Sequence, residues 1–176
     1  MSMHRPPSAA SGVELLFLGT GDAFASHGRF QSGYVIEAPE CRILMDPGPT
    51  ALCAMKRNGL KPLDIDIILV SHLHGDHFGG LPFFLLEYIY ESPRESALTI
   101  AGPRHLEERT WRLFKTMFPG SKPDLDRLIR QLHFITLEPE LETTGQEGAP
   151  PGRLPIQQIP RSLPVRANFS SDRGFW

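Results

Sequence analysis

Cysteine is nearly absent from this chain: Cys41 and Cys53 are the two in 176 residues. They are too few and too far apart for a disulfide framework or a Cys-x-x-Cys metal site, so two reduced thiols in a cytoplasmic protein is the reading. An excess of one charge is also missing, since 18 basic side chains face 20 acidic ones for a formal net charge of -2. That balance provides no broad basic surface for nucleic acid, although it leaves room for a local patch. No apolar run reaches the roughly 18 residues of a membrane span. Leu81 to Tyr90 comes nearest and is interrupted by Glu87. The first twelve residues, MSMHRPPSAASG, lack the apolar centre of a secretion signal and read as a polar, disordered lead.

The remainder, 40% hydrophobic and 22% charged, has the composition of a globular domain. One domain is expected over residues 13–137, with an α/β pattern. Val13 to Leu18 reads as a strand, and Gly33 to Glu37 with Cys41 to Met45 as an antiparallel hairpin. Gly19-Thr20-Gly21-Asp22 is a turn without the third glycine of a dinucleotide fingerprint. A polar loop follows it, and the His27 in that loop reads as solvated. Thr50 to Asn58 is a helix capped by Thr50 and closed by Gly59. Ile65 to Val70 has the continuous aliphatic character of a strand covered on both faces. Helices are expected over Leu81 to Tyr90, Leu106 to Met117 and Asp124 to Leu132, and strands over Ala97 to Ala101 and His133 to Leu137. The stripe of the second helix would comprise Leu106, Trp111, Leu113, Phe114 and Met117. Residues 138–176 form a divergent Pro- and Arg-rich tail in which Ile156 to Ile159 alone looks like a strand.

The stretch that organises the chain runs from Ile67 to Pro82. An apolar strand leads directly into His72, His74, Asp76 and His77, followed by Gly79-Gly80. Alternate residues leaving a strand share a side, so His72 and His74 can turn towards one ion. Gly75 then lets the chain reverse, and Asp76 and His77 face a second position close by. Imidazole and carboxylate are the donor set of zinc, with manganese or iron also acceptable. Asp46, at the end of the hairpin, reads on its own as a turn aspartate, and it is also a carboxylate that can orient a ligand histidine. The other histidines, His4, His27, His105 and His133, are scattered.

Ser71-His72-Leu73-His74-Gly75-Asp76-His77 resembles the His-x-His-x-Asp-His signature of the metallo-β-lactamase superfamily of metal-dependent hydrolases. Phe17 to Gly21, Leu44 to Gly48 and His77 to Pro82 resemble its ribonuclease Z and phosphodiesterase branch, although Asp22-Ala23-Phe24 departs from the Ser-Ala-x-Pro-Thr form of ribonuclease Z. The resemblance implies a four-layer αββα sandwich and a binuclear metal site. His72 and His74 would hold one zinc and Asp76 and His77 the other. A metal-bound hydroxide would attack a phosphodiester, in RNA or in a small ester, and Asp76 would also handle a proton. Asp46 matches an aspartate behind the ligands.

The family's later ligands have no counterpart: Pro160-Arg161-Ser162 stands where a histidine would, and Asp172 lies in no matching segment. The expectation is a chain truncated after the first half of the fold, with an exposed apolar sheet face that could bring two copies together. The alternative function is an impaired remnant that binds metal weakly or needs a partner chain.

Overall fold

The structure, a computed structural model, describes residues 12–120 and 122–138. The lead over residues 1–11, the Ile156 to Ile159 strand and the tail beyond residue 138 lie outside the described residues. One six-stranded sheet with strand order β1-β2-β3-β4-β5-β6 carries the fold. Strands β1 (Glu14–Gly19), β2 (Gly33–Glu37) and β3 (Arg42–Met45) are antiparallel neighbours. From β3 onward the pairing is parallel, through β4 (Ile67–Leu69), β5 (Leu98–Gly102) and β6 (Leu132–Thr136). The switch follows from the connections, because a short turn at residues 38–41 closes the hairpin whereas each later link carries helices.

These links hold α1 (Ala51–Arg57), α2 (Gly75–Phe78), α3 (Leu81–Leu86), α4 (Leu106–Met117) and α5 (Lys122–Ile129). Each parallel strand is added on the same side of the last, so right-handed crossovers bring the helices to one face. The main core lies there. Leu44, Ile68 and Ile100 from the sheet pack with Met55, Leu81, Phe84, Leu85, Phe114 and Leu128 from the helices.

The opposite face carries Leu15, Phe17, Ile36, Ile43, Ile67 and Leu69. Ile43 and Ile67 are buried with Ala38 and Cys41 in a small second cluster, while Leu15 and Phe17 are 53% and 56% exposed. Among the described residues no second layer covers this face. They account for two of the four layers of the expected sandwich, one of helices and one of sheet. Strand β4 was expected to be covered on both faces. Its second face is instead closed only in part, by side chains of its own sheet and of the hairpin turn.

Several boundaries shift for physical reasons. Thr50 stands at the start of α1 but does not cap it with its side chain. Its hydroxyl instead accepts the backbone N–H of Gln31 at 3.1 Å. The helix expected to Tyr90 ends at Leu86 and continues as a π-helical turn, Glu87–Glu91. There Glu87 is buried and takes Lys56 Nζ at 2.7 Å and Ser92 Oγ at 3.0 Å. Met117, assigned to the α4 stripe, is exposed, and Thr110 is buried instead. Helix α5 ends at Ile129 because Leu132 enters β6 opposite Leu98.

Arg94 is fully buried and donates to the carbonyls of Leu63, Ile65, Ser96 and Ala97, which pins the entry to β4. No described helix is long and apolar enough to cross a membrane.

Candidate metal centre

The parallel pairing of β3 with β4 sets Asp46 and Ser71 side by side beyond the carboxyl ends of the two strands. That end of an open α/β sheet is where ligands bind. Asp46 is 4% exposed and takes a left-handed backbone, φ 52°, a conformation that aspartate tolerates better than most residues. Asp46 Oδ1 accepts the Ser71 backbone N–H at 2.7 Å. Its Oδ2 accepts Ser71 Oγ–H at 2.8 Å and lies 3.0 Å from His77 Nδ1.

An ionised carboxylate accepts hydrogen bonds and cannot donate them. His77 Nδ1 therefore carries the proton, and Ser71 spends its own proton on Asp46. Ser71 Oγ, 3.0 Å from His72 Nδ1, is then left to accept from His72 Nδ1–H. Both imidazoles thus have their Nδ1 engaged inward and their Nε2 turned outward, the nitrogen that would be offered to a metal once it carries no proton.

The outward atoms meet in pairs. His72 Nε2 is 3.1 Å from His74 Nδ1, and His77 Nε2 is 3.2 Å from Asp76 Oδ2. Two donors on a tetrahedral zinc at about 2.0–2.1 Å stand about 3.3 Å apart. Each pair is therefore close to ligand spacing, and the His72 and His77 rings lie 4.0 Å apart. The fit is nonetheless partial: among the described residues, no group of three or more His, Cys, Asp or Glu side chains is arranged to hold an ion. A catalytic zinc takes three protein ligands, and these pairs supply two each.

Two glycines permit the approach of the backbone segments. A Cβ on Gly48 would overlap the Asp76 carbonyl oxygen, and one on Gly80 would overlap those of Gly48 and Pro47. The two imidazoles differ in proton affinity. The Asp46 hydrogen bond holds His77 above the ordinary histidine value, whereas burial draws His72 below it.

All four expected ligands thus lie at one edge, with Asp46 behind them. His133 sits exposed on β6 opposite Thr99, and His27 is exposed in the loop after β1. The sequence reading assigned no role to Ser71, although it directly precedes His72 in the motif. It also missed Gln31, whose signal is tertiary: its side chain lies against the Gly48 turn, with Oε1 buried and unpartnered.

The sheet-and-helix arrangement is that of solved metallo-β-lactamase fold proteins. Residues 13–140 match the family described as Anti-Pycsar protein Apyc1. The Anti-Pycsar protein Apyc1 of Paenibacillus harenae is 32% identical over 170 residues, covering 93% of this chain and 66% of that protein. Ribonuclease Z of Clostridium novyi is 40% identical over 96 residues, 53% of this chain and 30% of its own length. The short form of human tRNase Z superposes with a TM-score of 0.55 at 30% identity, covering 69% of this chain and 44% of that one. The chain therefore spans less than two thirds of the length of these relatives. At 93% coverage the first match also takes in part of residues 138–176. By the family match over residues 13–140, the chain belongs to the Anti-Pycsar Apyc1 family, in the ribonuclease Z-like branch of the metallo-β-lactamase superfamily.

Proposed function

We propose that this chain contributes the amino-terminal ligands of a metal-dependent hydrolase that cleaves phosphodiester bonds, in RNA or in a small ester. The carrying observation is the pair of donor couples, His72 with His74 and Asp76 with His77, at near-ligand spacing over one buried carboxylate. His72 and His74 would hold one divalent ion and Asp76 and His77 a second. Zinc suits the nitrogen and oxygen donors best, and manganese or iron are accepted by the same set. Such ions supply an acidified water and positive charge against the phosphate.

The protein's own part is orientation. Asp46 fixes His77 directly and His72 through Ser71, so neither ring has to be ordered when an ion arrives. Asp76 has the further role of holding or returning a proton at its carboxylate. The relatives named as ribonucleases support a phosphodiester as the bond attacked. Two free cysteines suit a reducing compartment such as the cytoplasm.

The test combines metal analysis of the purified chain with hydrolysis of bis(p-nitrophenyl) phosphate. Zinc retention and turnover that fall together in His74→Ala are expected, and a chain that keeps no metal after purification in zinc-containing buffer would sink the proposal. A second reading is favoured by the absence of a three-ligand group among the described residues. On it, the chain binds metal weakly and turns over substrate only with ligands supplied from outside the described residues. Metal bound with micromolar or weaker affinity and no hydrolysis would select it.

A further inference from the structure

Gln31 closes the loop that follows β1, and its backbone is fixed from several sides. Its N–H donates to Thr50 Oγ1 at 3.1 Å. It bridges to Gly21, whose N–H donates to Phe30 O at 2.7 Å and whose carbonyl accepts Ser32 N–H at 2.9 Å and Ser32 Oγ–H at 3.0 Å. A Cβ on Gly19 would overlap the carbonyl oxygens of Phe30 and Gln31, so the end of β1 lies directly against this segment. With the backbone so held, the side chain reaches the turn over residues 46–50, between β3 and α1.

There its amide is poorly served. Gln31 Nε2 reaches Ala23 O only at 3.5 Å, and Oε1 is buried with no hydrogen-bond donor among the described residues. Burying an acceptor without a partner costs free energy that an apolar group of the same shape would not, so the side chain is kept for another reason. What Oε1 touches is Gly48, since it would stand 3.5 Å from a Cβ built there. The same Cβ would overlap the Asp76 carbonyl oxygen, so the buried Gly48 backbone is in contact with both Gln31 and the segment that carries a candidate ligand. The turn is tied at its other points as well. Asp46 O accepts Gly48 N–H at 2.8 Å, and Pro47 O accepts Gly80 N–H at 2.8 Å. Gln31 thus grips the turn twice, with its side chain at Gly48 and its backbone at Thr50.

From this geometry we infer that Gln31 is a positioning residue of the candidate metal centre: it is a wedge that, by length rather than by hydrogen bonding, holds the turn over residues 46–50 against the Asp76 segment and so sets Asp46 and Asp76 relative to each other. The orphaned acceptor is the consequence of a side chain retained for its shape. Donor pairs at ligand spacing hold an ion only if the groups behind them are fixed, and a site whose support is loosened loses affinity. The inference rests on the proposed metal centre for its function, and half of its test needs no metal.

The test separates shape from polarity in the full chain. Gln31→Met keeps the length and removes the orphaned acceptor, whereas Gln31→Ala removes the wedge. Zinc affinity is measured by competition with a chromophoric chelator, and amide hydrogen exchange is followed on the metal-free chain. Gln31→Ala is expected to weaken zinc binding roughly tenfold. It should also accelerate exchange of the Ser71 N–H, which donates to Asp46 Oδ1 at 2.7 Å, while the amides of β4 and β5 keep their rates. Gln31→Met should retain native zinc affinity and Ser71 exchange, with a thermal midpoint equal to or above the native one. Gln31→Asn, which keeps the amide and loses the length, should behave as Gln31→Ala does, and serves in its place if that chain does not fold. Native Ser71 exchange in the shortened variants overturns the inference, as does a Gln31→Met chain that loses as much as they do. If the native chain retains no zinc while Gln31→Ala still frees the Ser71 N–H, the metal-dependent reading falls and the wedge stands. Zinc bound equally by the native and Gln31→Ala chains has the opposite meaning.

Discussion

The two faces of the sheet are built from similar apolar residues and differ in how completely they are covered. On the helix side Leu44, Ile68 and Ile100 are completely buried. On the other side their sheet neighbours Phe17 and Leu15 remain more than half exposed. Stability on this account is concentrated on one face, while the candidate metal ligands lie at the carboxyl edge, where polar groups are partly exposed and hydrogen-bonded to one another. The difference teaches that β-propensity and hydrophobicity place a residue in the sheet, and burial is decided by what the crossovers lay over it.

The largest effect that tests this contrast is Ile68→Ala, which removes a side chain with no exposed surface from beneath the helices. A loss of about 2–5 kcal/mol is expected in urea unfolding. A loss below about 1 kcal/mol would mean that the helix layer is not packed as described.

Asp46→Asn sharpens the separation of stability from chemistry. The substituted amide keeps an acceptor for Ser71 but no longer holds His77 as an ion pair. Affinity for zinc should fall roughly 10–100-fold with much less change in the melting midpoint. An unaltered zinc affinity would remove Asp46 from the site.

A smaller effect is read by histidine NMR of the metal-free chain. His77 should titrate above 6.5 and His72 below it. The signs of their contributions to stability then oppose each other. Folding favours protonated His77, so that contribution is complete below pH 6.5 and disappears as the pH rises through the raised His77 value. Folding favours neutral His72, so its environment begins to destabilise the fold as the pH falls below 6.5. The reverse titration order would contradict the hydrogen bond between His77 and Asp46.

The smallest expected effect is that of Phe17→Ala on the uncovered face, under about 1 kcal/mol. A loss comparable to that of Ile68→Ala would show that this face is covered in solution, and would break the contrast outright.

The site was more legible in the sequence than the layers around it. Histidines at alternate positions after an aliphatic strand are a local pattern, and strand geometry brings them together without help from distant residues. Asp46 was legible as a candidate because it ends a strand. Its bonds to Ser71 and His77 depend on β3 and β4 being parallel neighbours, 25 and 31 residues apart along the chain. Arg94 shows the limit more sharply. Nothing local marks it as the most completely buried cation among the described residues, because its partners are carbonyls on two separate loops. Thr50 looked like a helix cap and is used to latch the Gln31 loop, since a backbone N–H from a distant segment reaches its hydroxyl first.

By itself, then, the sequence determined the strand–histidine motif, the donor chemistry of the site and the approximate position of the described elements, all of which arise from period, turn chemistry and ligand type within a few residues. Which face of the sheet is buried, which tautomers the histidines adopt and where the loop after β1 comes to rest were decided by the tertiary structure alone. Each of these depends on the free energy of contacts between segments remote in sequence, and no local preference specifies such contacts.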